Sequence, residues 1–183
     1  AVSHLAEVGQ YAVLSELGHP GAVHHAQVVG ANFVDGIQGG AGTSANMNAN
    51  EVIIPCRLSY ANIWEPKQVN GTGDPKYSCC LLIKKSDTNA LAAIRKAIEA
   101  IKTDPASLAK WGGKLPPKLK EPLRDGDEEK DDENYAGCWF INANASADRR
   151  PRIIDRACNE VLDQDEVYSG CYAKVKVGFF SYS

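Results

Sequence analysis

Histidine is nearly absent from this chain, and its placement excludes several kinds of catalytic site. All four histidines fall within residues 1–46, so residues 47–183 contain none. A Ser-His-Asp triad, a Cys-His pair and most zinc centres need an imidazole group, which only the N-terminal segment has. A glycine-rich loop with the spacing of a P-loop is also missing. The sequence therefore indicates a binding protein that is not an enzyme, with no catalytic residues, no metal ligands and no cofactor.

The six cysteines lack the spacing of a metal site or a disulfide framework. They are Cys56, Cys79, Cys80, Cys138, Cys158 and Cys171, and no two of them form a Cys-x-x-Cys pair. Free thiols used as small core residues in a reducing cytosol are the preferred interpretation. Apolar runs stay short of the ~18 residues of a membrane span, and the N-terminus lacks the basic start of a signal peptide. We expect a soluble, intracellular protein.

Residues 1–46 differ from the rest of the chain in composition. They contain no lysine or arginine and end in the flexible sequence GIQGGAGTSAN, after which Met47 opens a stretch typical of a compact domain. We expect residues 1–46 to be an N-terminal extension or linker outside the functional fold, and residues 47–183 to form the domain. The alternative is a genuine N-terminal arm with a short helix around Leu5 to Leu17.

The charge of the domain is unevenly distributed. Residues 47–183 hold 20 basic and 20 acidic residues, but seven of the acids crowd into Asp125–Glu133. Without that segment, 19 basic and 13 acidic residues remain, which is compatible with a polyanionic partner. The acidic segment lacks the spacing of an EF-hand. Three interpretations of it stay open: a solvated charged loop, an electrostatic lid over a binding face, or a metal site.

Periodicity divides the domain into five strands and one helix. The strands are predicted at Glu51–Tyr60, Lys76–Lys85, Tyr135–Ala145, Arg152–Arg156 and Tyr168–Tyr182. The helix is predicted to begin after a cap at Ser86 or Asp87, to end near Asp104, and to bury Leu91, Ile94, Ile98 and Ile101. The long excursion at Trp111–Asn134 is typical of a functional or disordered loop. The predicted fold class is mainly β with one or two helices, in an OB-fold-like small β-barrel.

In the last predicted strand, small or apolar side chains alternate with lysines and aromatic rings. One side carries Cys171, Ala173, Val175, Val177 and Phe179, and the other carries Tyr172, Lys174, Lys176, Phe180 and Tyr182. The first side can be buried while the second presents cations and rings together. Lysines attract phosphates and aromatic rings stack on unpaired bases, so the second side suits single-stranded nucleic acid. The alternative is an ordinary half-buried strand with a solvated lysine face.

Basic and aromatic residues of the other predicted strands add to this face. The full set predicted to bind nucleic acid is Tyr60, Trp64, Lys76, Tyr77, Lys84, Trp139, Arg149, Arg150, Arg152, Tyr172, Lys174, Lys176, Phe180 and Tyr182. Any one of them is typical of a core or a surface. Together they supply the cations and rings that a groove for single-stranded DNA or RNA requires.

Five segments in order resemble a known family. They are RLSYANIWEPK (57–67), PKYSCCLLIKKSD (75–87), KWGGKLPPKLKEPLRDGDEE (110–129), YAGCWFINA (135–143) and EVYSGCYAKVKVGFFSY (166–182). The chain from Met47 onward is similar to the phage and prophage single-stranded-DNA-binding proteins with an OB-fold, once catalogued as a domain of unknown function. Members of that family usually continue beyond the position of Ser183, often through another strand and a polar tail. Residues 1–46 match nothing in the family.

The resemblance implies a sequence-tolerant protein that coats single-stranded DNA in the cytoplasm of a bacterial host cell, during phage DNA replication or recombination. Phage or host replication and recombination proteins are the implied partners, with no membrane. The residues leave two alternatives: a metal-dependent nuclease or strand-processing factor using Asp125, Asp127, Glu128 and Asp155, or a phage structural or assembly protein. The preference for DNA over RNA, the length of the bound site and the oligomeric state are open.

Overall fold

A mainly β fold with one long helix is seen in the computed structural model, which describes residues 4–6, 12–15, 51–68, 73–117, 119–155 and 157–182. The strands are β1 (His4–Ala6), β2 (Ala12–Ser15), β3 (Glu51–Lys67), β4 (Lys76–Lys84), β5 (Arg124–Asp125), β6 (Cys138–Ser146), β7 (Arg152–Ile154), β8 (Tyr172–Gly178) and β9 (Phe180–Tyr182). The helices are α1 (Thr88–Thr103), α2 (Pro105–Lys110) and α3 (Gly126–Glu129), with 3₁₀ turns at Glu133–Tyr135 and Gln164–Glu166. The predicted mainly β fold class is confirmed, with three helices in the described residues where one or two were predicted.

A seven-stranded sheet organises the described part of the chain. Its strand order is β5-β6-β4-β3-β8-β2-β7, and β1 pairs separately with β9. Neighbouring strands are antiparallel except for the parallel pair β2 and β7. Because β3 lies at the centre, with β4 on one side and β8 on the other, it positions side chains from three strands relative to one another.

Strand β3 changes partner along its 17 residues, with a break in its register where the change is made. Its first part pairs with β8 and its later part with β4. The β4 pairing shifts between Ser59 and Asn62, and Tyr60 in this interval has a φ of 48°. A bulge bends a strand and redirects a side chain, and the Tyr60 side chain is 67% exposed. The bulge thus turns a large ring out of the sheet.

The core lies between α1 and one face of the sheet, which we call the inner face. The predicted apolar side of the last strand is buried from Cys171 to Phe179, as is the Val52, Ile54, Cys56 and Leu58 side of β3. Helix α1 begins where predicted, since the Asp87 side chain accepts a hydrogen bond from the Ala90 amide at 3.0 Å. Its predicted buried residues, Leu91, Ile94, Ile98 and Ile101, are buried in the same core. These local predictions are confirmed.

Two short strands come from the N-terminal extension. Strand β2 lies between β8 and β7, and β1 lies beside β9. The alternative of a helix around Leu5 to Leu17 is wrong for the described residues 4–6 and 12–15, because their backbone groups pair with strands. Most of residues 1–46, including the GIQGGAGTSAN linker, lies outside the described residues. That the extension is dispensable for the functional fold stays a prediction, and these two strand pairings count against it.

All six cysteines are free, as expected, and four of them are buried. Burial raises the pKa of the thiols of Cys56 and Cys79, because desolvation penalises the thiolate. These residues therefore serve as small core side chains. Within the described ranges, no helix has the combination of length and apolarity that crossing a bilayer requires.

Candidate nucleic-acid interface

The face of the sheet opposite α1, which we call the outer face, gathers cations and a ring at its centre. Arg57 on β3 lies opposite Tyr172 on β8 and opposite Leu82 on β4. Two residues along β8, Lys174 lies opposite Pro55 of β3. Lys84 follows Leu82 by two residues on β4 and is exposed. Because alternate strand residues share a face, three neighbouring strands bring these side chains together.

These residues line a groove on the outer face. It has a volume of about 830 Å³, and its lining includes Arg57, Lys84, Glu133 and Tyr172. A hollow of about 300 Å³ shares Arg57 with the groove and extends the depression to Tyr60 and to the turn at residues 169–170. Together they make one depression whose lining includes Arg57, Lys84 and the exposed rings of Tyr60 and Tyr172. We call it the central groove.

One wall of the central groove is the acidic segment, residues 126–135, which we call the acidic wall. Tyr135 is 2% exposed, and its ring meets Phe140 edge-on with ring centroids 5.3 Å apart. Its hydroxyl donates to the Cys80 Sγ at 3.4 Å. Burial raises the pKa of Tyr135 above its usual range, so the ring stays neutral at physiological pH. The wall is therefore anchored to the outer face through an aromatic residue.

Ion pairs hold the base of the acidic wall. The Lys85 ammonium lies 2.6 Å from the carboxylate of Asp125 and 2.7 Å from that of Asp127. The hydrogen bond from Lys85 lowers the pKa of Asp127, and the two carboxylates raise the pKa of Lys85. Arg124 pairs with Glu129 and lowers the pKa of that carboxyl. Three of the seven acids are thus paired with cations, while all of them except Asp125 stay exposed, so the interpretation as a solvated charged loop remains open.

Residues 132–134 of the wall border the central groove and its hollow. Glu133 lines the groove and Asp132 lines the adjoining hollow. Asp132 also accepts hydrogen bonds from the backbone and side-chain nitrogens of Asn134, each at 2.9 Å, which lowers its pKa. Across the described residues, no three His, Cys, Asp or Glu side chains cluster in a way that would hold a metal ion. The wall thus places two carboxylates beside the groove, and its role as an electrostatic lid stays a prediction.

Three of the predicted binding residues line the central groove and its hollow: Tyr60, Lys84 and Tyr172. Lys174 is half-buried opposite Pro55, which lines the groove. Arg57 was missed by sequence reasoning. The alternation of Val52, Ile54, Cys56 and Leu58 already placed Arg57 on the opposite side of β3, and this signal could have identified it. Its Nε donates to the Gly170 carbonyl at 3.3 Å, which holds the guanidinium at the junction of groove and hollow. Arg57 is the central cation of the site.

Three predicted residues are placed away from the groove. Lys176 is only 7% exposed, and its ammonium lies 3.0 Å from a carboxylate oxygen of Glu51. The prediction that it faces solvent is wrong, because β8 runs beside the first residues of β3 and brings Glu51 close. Tyr77 is 6% exposed in the main core. Trp139 lies opposite the buried Ile83, packs against the same core and has the Lys85 and Arg95 cations each 5.5 Å from its ring centroid.

The remaining predicted residues lie at other places. Lys76 is opposite Ser146 at the far end of β4, and the Arg149 amide donates to the Ser146 carbonyl at 2.9 Å, so these two cations share one end of the sheet. Arg150 is exposed in the same turn, and Arg152 lies on β7 at the sheet edge. Phe180 lines a separate hollow beside α2, and the side chain of Tyr182 lies outside the described part. Trp64 packs partly buried against the core. Contact of any of these with nucleic acid stays a prediction.

Comparisons with known proteins agree with this architecture. The family model described as "Enterobacter phage Enc34, ssDNA-binding protein" matches residues 50–183. "Putative protein p50" of Acyrthosiphon pisum secondary endosymbiont phage 1 is 35% identical over 136 residues, which are 69% of this chain and 70% of that protein. The solved "Single-stranded DNA-binding protein from bacteriophage Enc34 in complex with ssDNA" is 25% identical with a TM-score of 0.57, covering 74% of this chain and 85% of that one.

A C-terminal truncation of the bacteriophage Enc34 protein is also similar in fold, with 24% identity and a TM-score of 0.56 over 74% of this chain and 83% of that one. The likeness to these structures supports the predicted OB-fold-like architecture. The family match covers most of the chain and includes every strand from β3 to β9. The chain therefore belongs to the family of the Enterobacter phage Enc34 ssDNA-binding protein.

Proposed function

We propose that this chain is a sequence-tolerant single-stranded-DNA-binding protein that acts, without catalysis, in phage or prophage DNA replication or recombination. The observation that carries the proposal is the central groove, in which Arg57 and Lys84 lie beside the exposed ring of Tyr172. The family and the similar phage proteins support it. The proposed location is the cytoplasm of the bacterial host cell, and the proposed partners besides DNA are phage or host replication and recombination proteins.

The chemistry of the groove favours single strands. Cations contact phosphates without regard to sequence, and a tyrosine face stacks with any unpaired base at roughly 1–3 kcal/mol. Bases within a duplex are already stacked and paired, so they cannot use the Tyr172 ring without unstacking. Glu133 and Asp132 repel phosphates from the wall side, which directs the backbone toward Lys84 and Lys174. The arrangement selects a strand whose bases are free.

The nuclease alternative has little support from the described residues. A metal-dependent nuclease needs carboxylates that converge on one pair of ions. Asp125 and Asp127 are instead paired with Lys85. Asp155 accepts hydrogen bonds from the backbone amides of Ala157 and Asn159 in the turn after β7. Three of the four carboxylates of that alternative are therefore used to shape two separate parts of the structure.

A salt-dependent titration with fluorescent oligo-dT tests the proposal, with duplex and RNA as competitors. Lys84→Ala and Lys174→Ala should each lower affinity and make the log-log salt slope shallower by roughly 0.7, the value per phosphate contact on a single strand. Lys96→Ala, at an exposed position on α1 behind the inner face, is the matched control. It should leave the slope unchanged.

Three results would count against the proposal. Wild-type protein that binds duplex as tightly as oligo-dT would remove the single-strand preference. If the salt slope became shallower by the same amount in the Lys84, Lys174 and Lys96 variants, binding would depend on the overall charge of the protein and not on the groove. Cleavage of the oligonucleotide that depends on Mg²⁺ would favour the nuclease. RNA that competes as well as DNA would extend the substrate to both single-stranded nucleic acids.

A further inference from the structure

Strand β2 closes a gap between two ends of the curled sheet. Strands β6 and β7 stand near opposite ends of the strand order, yet the link from Ser146 to Arg152 spans at most about 22 Å. The sheet therefore curls until these ends come close. Among the described strands, β7 pairs with β2, and β2 pairs on its other side with β8. We call the space between β7 and β8 the slot, and β2 fills it.

Both edges of the slot need a strand between them. Val175 on β8 and Ile153 and Ile154 on β7 are 0%, 2% and 1% exposed. Val13 of β2 lies opposite Val175 on one side and opposite Ile153 on the other. Buried backbone amides and carbonyls that lack a partner cost free energy, and an open strand edge is a template for another chain. The slot is thus a binding site for an extended segment.

The link between β2 and β3 is far longer than the slot requires. Ser15, the last residue of β2, lies opposite Ala173, and Glu51, the first of β3, lies opposite Gly178 on the other side of β8. Five residues along β8 and two strand spacings separate these ends by about 19 Å. A link of residues 16–50 can reach about 120 Å. Strand β2 can therefore reach the slot of a second copy of the chain.

Strand direction favours the second copy. Strands β2 and β3 are both antiparallel to β8, so they are parallel to each other on its two sides. Within one chain, the link has to return from the Ala173 end of β8 to the Gly178 end over one face of the sheet. One face of β8 is buried in the core, and the other borders the central groove at Tyr172. A β2 strand that comes from a neighbouring copy needs no such return.

We propose that copies of this chain bound side by side on one DNA strand exchange β2, so that the slot of each copy holds the β2 strand of its neighbour. This inference rests on the proposed single-strand binding, which brings the copies close together. Exchange of an identical element keeps the pairing of the sheet and adds a tether between neighbours. Tethered partners meet at effective concentrations of about mM, so the exchange strengthens binding to strands that hold several copies. The family match begins at residue 50, so β2 adds this interaction from outside the matched residues.

Disulfide trapping between β2 and β7 tests the exchange, since Ala12 lies opposite Arg152. Ala12→Cys and Arg152→Cys chains, one of them isotope-labelled for mass spectrometry, are mixed under mild oxidation with oligo-dT. An oligonucleotide of about 40 nucleotides holds two or more OB-folds, and one of about 5 nucleotides holds one. Mixed disulfide dimers should be at least about tenfold more abundant on the long oligonucleotide. Each variant alone, with the same six native cysteines, is the control.

Val13→Pro tests the exchange without added cysteines. Proline removes a backbone amide from a strand that has neighbours on both sides, so it weakens β2 in the slot. Affinity for the long oligonucleotide should fall at least about tenfold, because the tether is lost. Affinity for the short one should stay within about twofold of wild type, since the groove is unchanged. Ala41→Pro, in the glycine-rich sequence before Met47, is the matched control and should bind both lengths like wild type.

Binding of both oligonucleotides is measured on the same samples, which separates the exchange from the proposed function. If both lengths bind but mixed dimers do not exceed the single-variant controls, the exchange is overturned and the proposed function stands. A chain carrying both Ala12→Cys and Arg152→Cys that forms only an internal disulfide on the long oligonucleotide would also overturn it, as would wild-type binding of that oligonucleotide by Val13→Pro. If wild type binds neither length, the proposed function fails and the exchange with it.

Discussion

The acidic wall depends on one glycine, and Gly126→Ala provides the sharpest test of its packing. Gly126 is buried at the start of α3, where the wall passes over the outer face. A Cβ atom placed on it would lie 2.5 Å from the Tyr135 carbonyl oxygen and 2.7 Å from the Cys138 carbonyl oxygen. Both contacts are to backbone atoms, so no side chain can rotate away. The wall or strand β6 has to move to admit a methyl group.

The size of the effect follows from this clash. Forcing an extra methyl into a tightly packed site costs about 1–3 kcal/mol. For a chain of this length, 1 kcal/mol corresponds to roughly 2–4 °C in Tm. Gly126→Ala should therefore lower Tm by about 2–12 °C. Displacing the wall also separates Tyr135 from Phe140, which are 2% and 0% exposed, so the upper half of that range is expected.

Thermal unfolding by circular dichroism measures this change, with Gly178→Ala as the matched control. A Cβ on Gly178 would meet only the Cγ of Glu51, at the ordinary contact distance of 3.8 Å. That variant should stay within about 0.5 kcal/mol of wild type. The reasoning is refuted if Gly126→Ala has the same Tm as wild type and the control, because the close approach of the wall to β6 would then be absent in solution.

Three further predictions concern charge and ionisation. Glu133→Gln should tighten oligo-dT binding about twofold at low salt, because two charges about 8 Å apart in water interact by roughly 0.5 kcal/mol. Glu128→Gln, on the same wall but away from the groove lining, should change the affinity little. Lys176→Ala should lower Tm and leave the salt slope of binding unchanged, because its partner is Glu51; a slope shallower by about 0.7 would instead make Lys176 a phosphate contact. Burial raises the pKa of Cys79, so the unfolding free energy should fall as pH rises above about 8.5, where unfolded thiols ionise. Urea titrations of Cys79→Ala should show a weaker fall with pH, and an equal fall in wild type and variant would contradict this.

Much of the architecture was predictable because it follows from local periodicity. The two-residue alternation of β3 and β8 places Val175 and Val177 in the core, and both are fully buried. The helical spacing of the buried residues in α1 and the cap at Asp87 likewise depend on only a few neighbouring residues. Alternation also assigns Tyr172 and Lys174 to the opposite face, where the groove lies. Predictions of this kind need only the geometry of one element.

The acidic wall could not be predicted in the same way. Its composition indicates solvation, and its order depends on Lys85, which lies 40 positions before Asp125, and on Tyr135 packing over Phe140. Tyr135 was assigned to a strand because it precedes the apolar run of β6, whereas it ends a 3₁₀ turn. The reversal of chain direction within the wall brings this ring back over the sheet. No pattern of neighbouring residues in the sequence predicts that the chain folds back over the sheet in this way.

The sequence by itself determined which side of each strand is apolar, where the long helix begins, and to which family the chain belongs, because these follow from short-range spacing and from motifs. Only the tertiary structure decided which polar side chains share the groove. Lys174 and Lys176 are equivalent by alternation, yet strand pairing leaves Lys174 partly exposed opposite Pro55 and buries Lys176 beside Glu51. Exposure on the outer face depends on what packs over it, and those contacts join residues far apart in the chain.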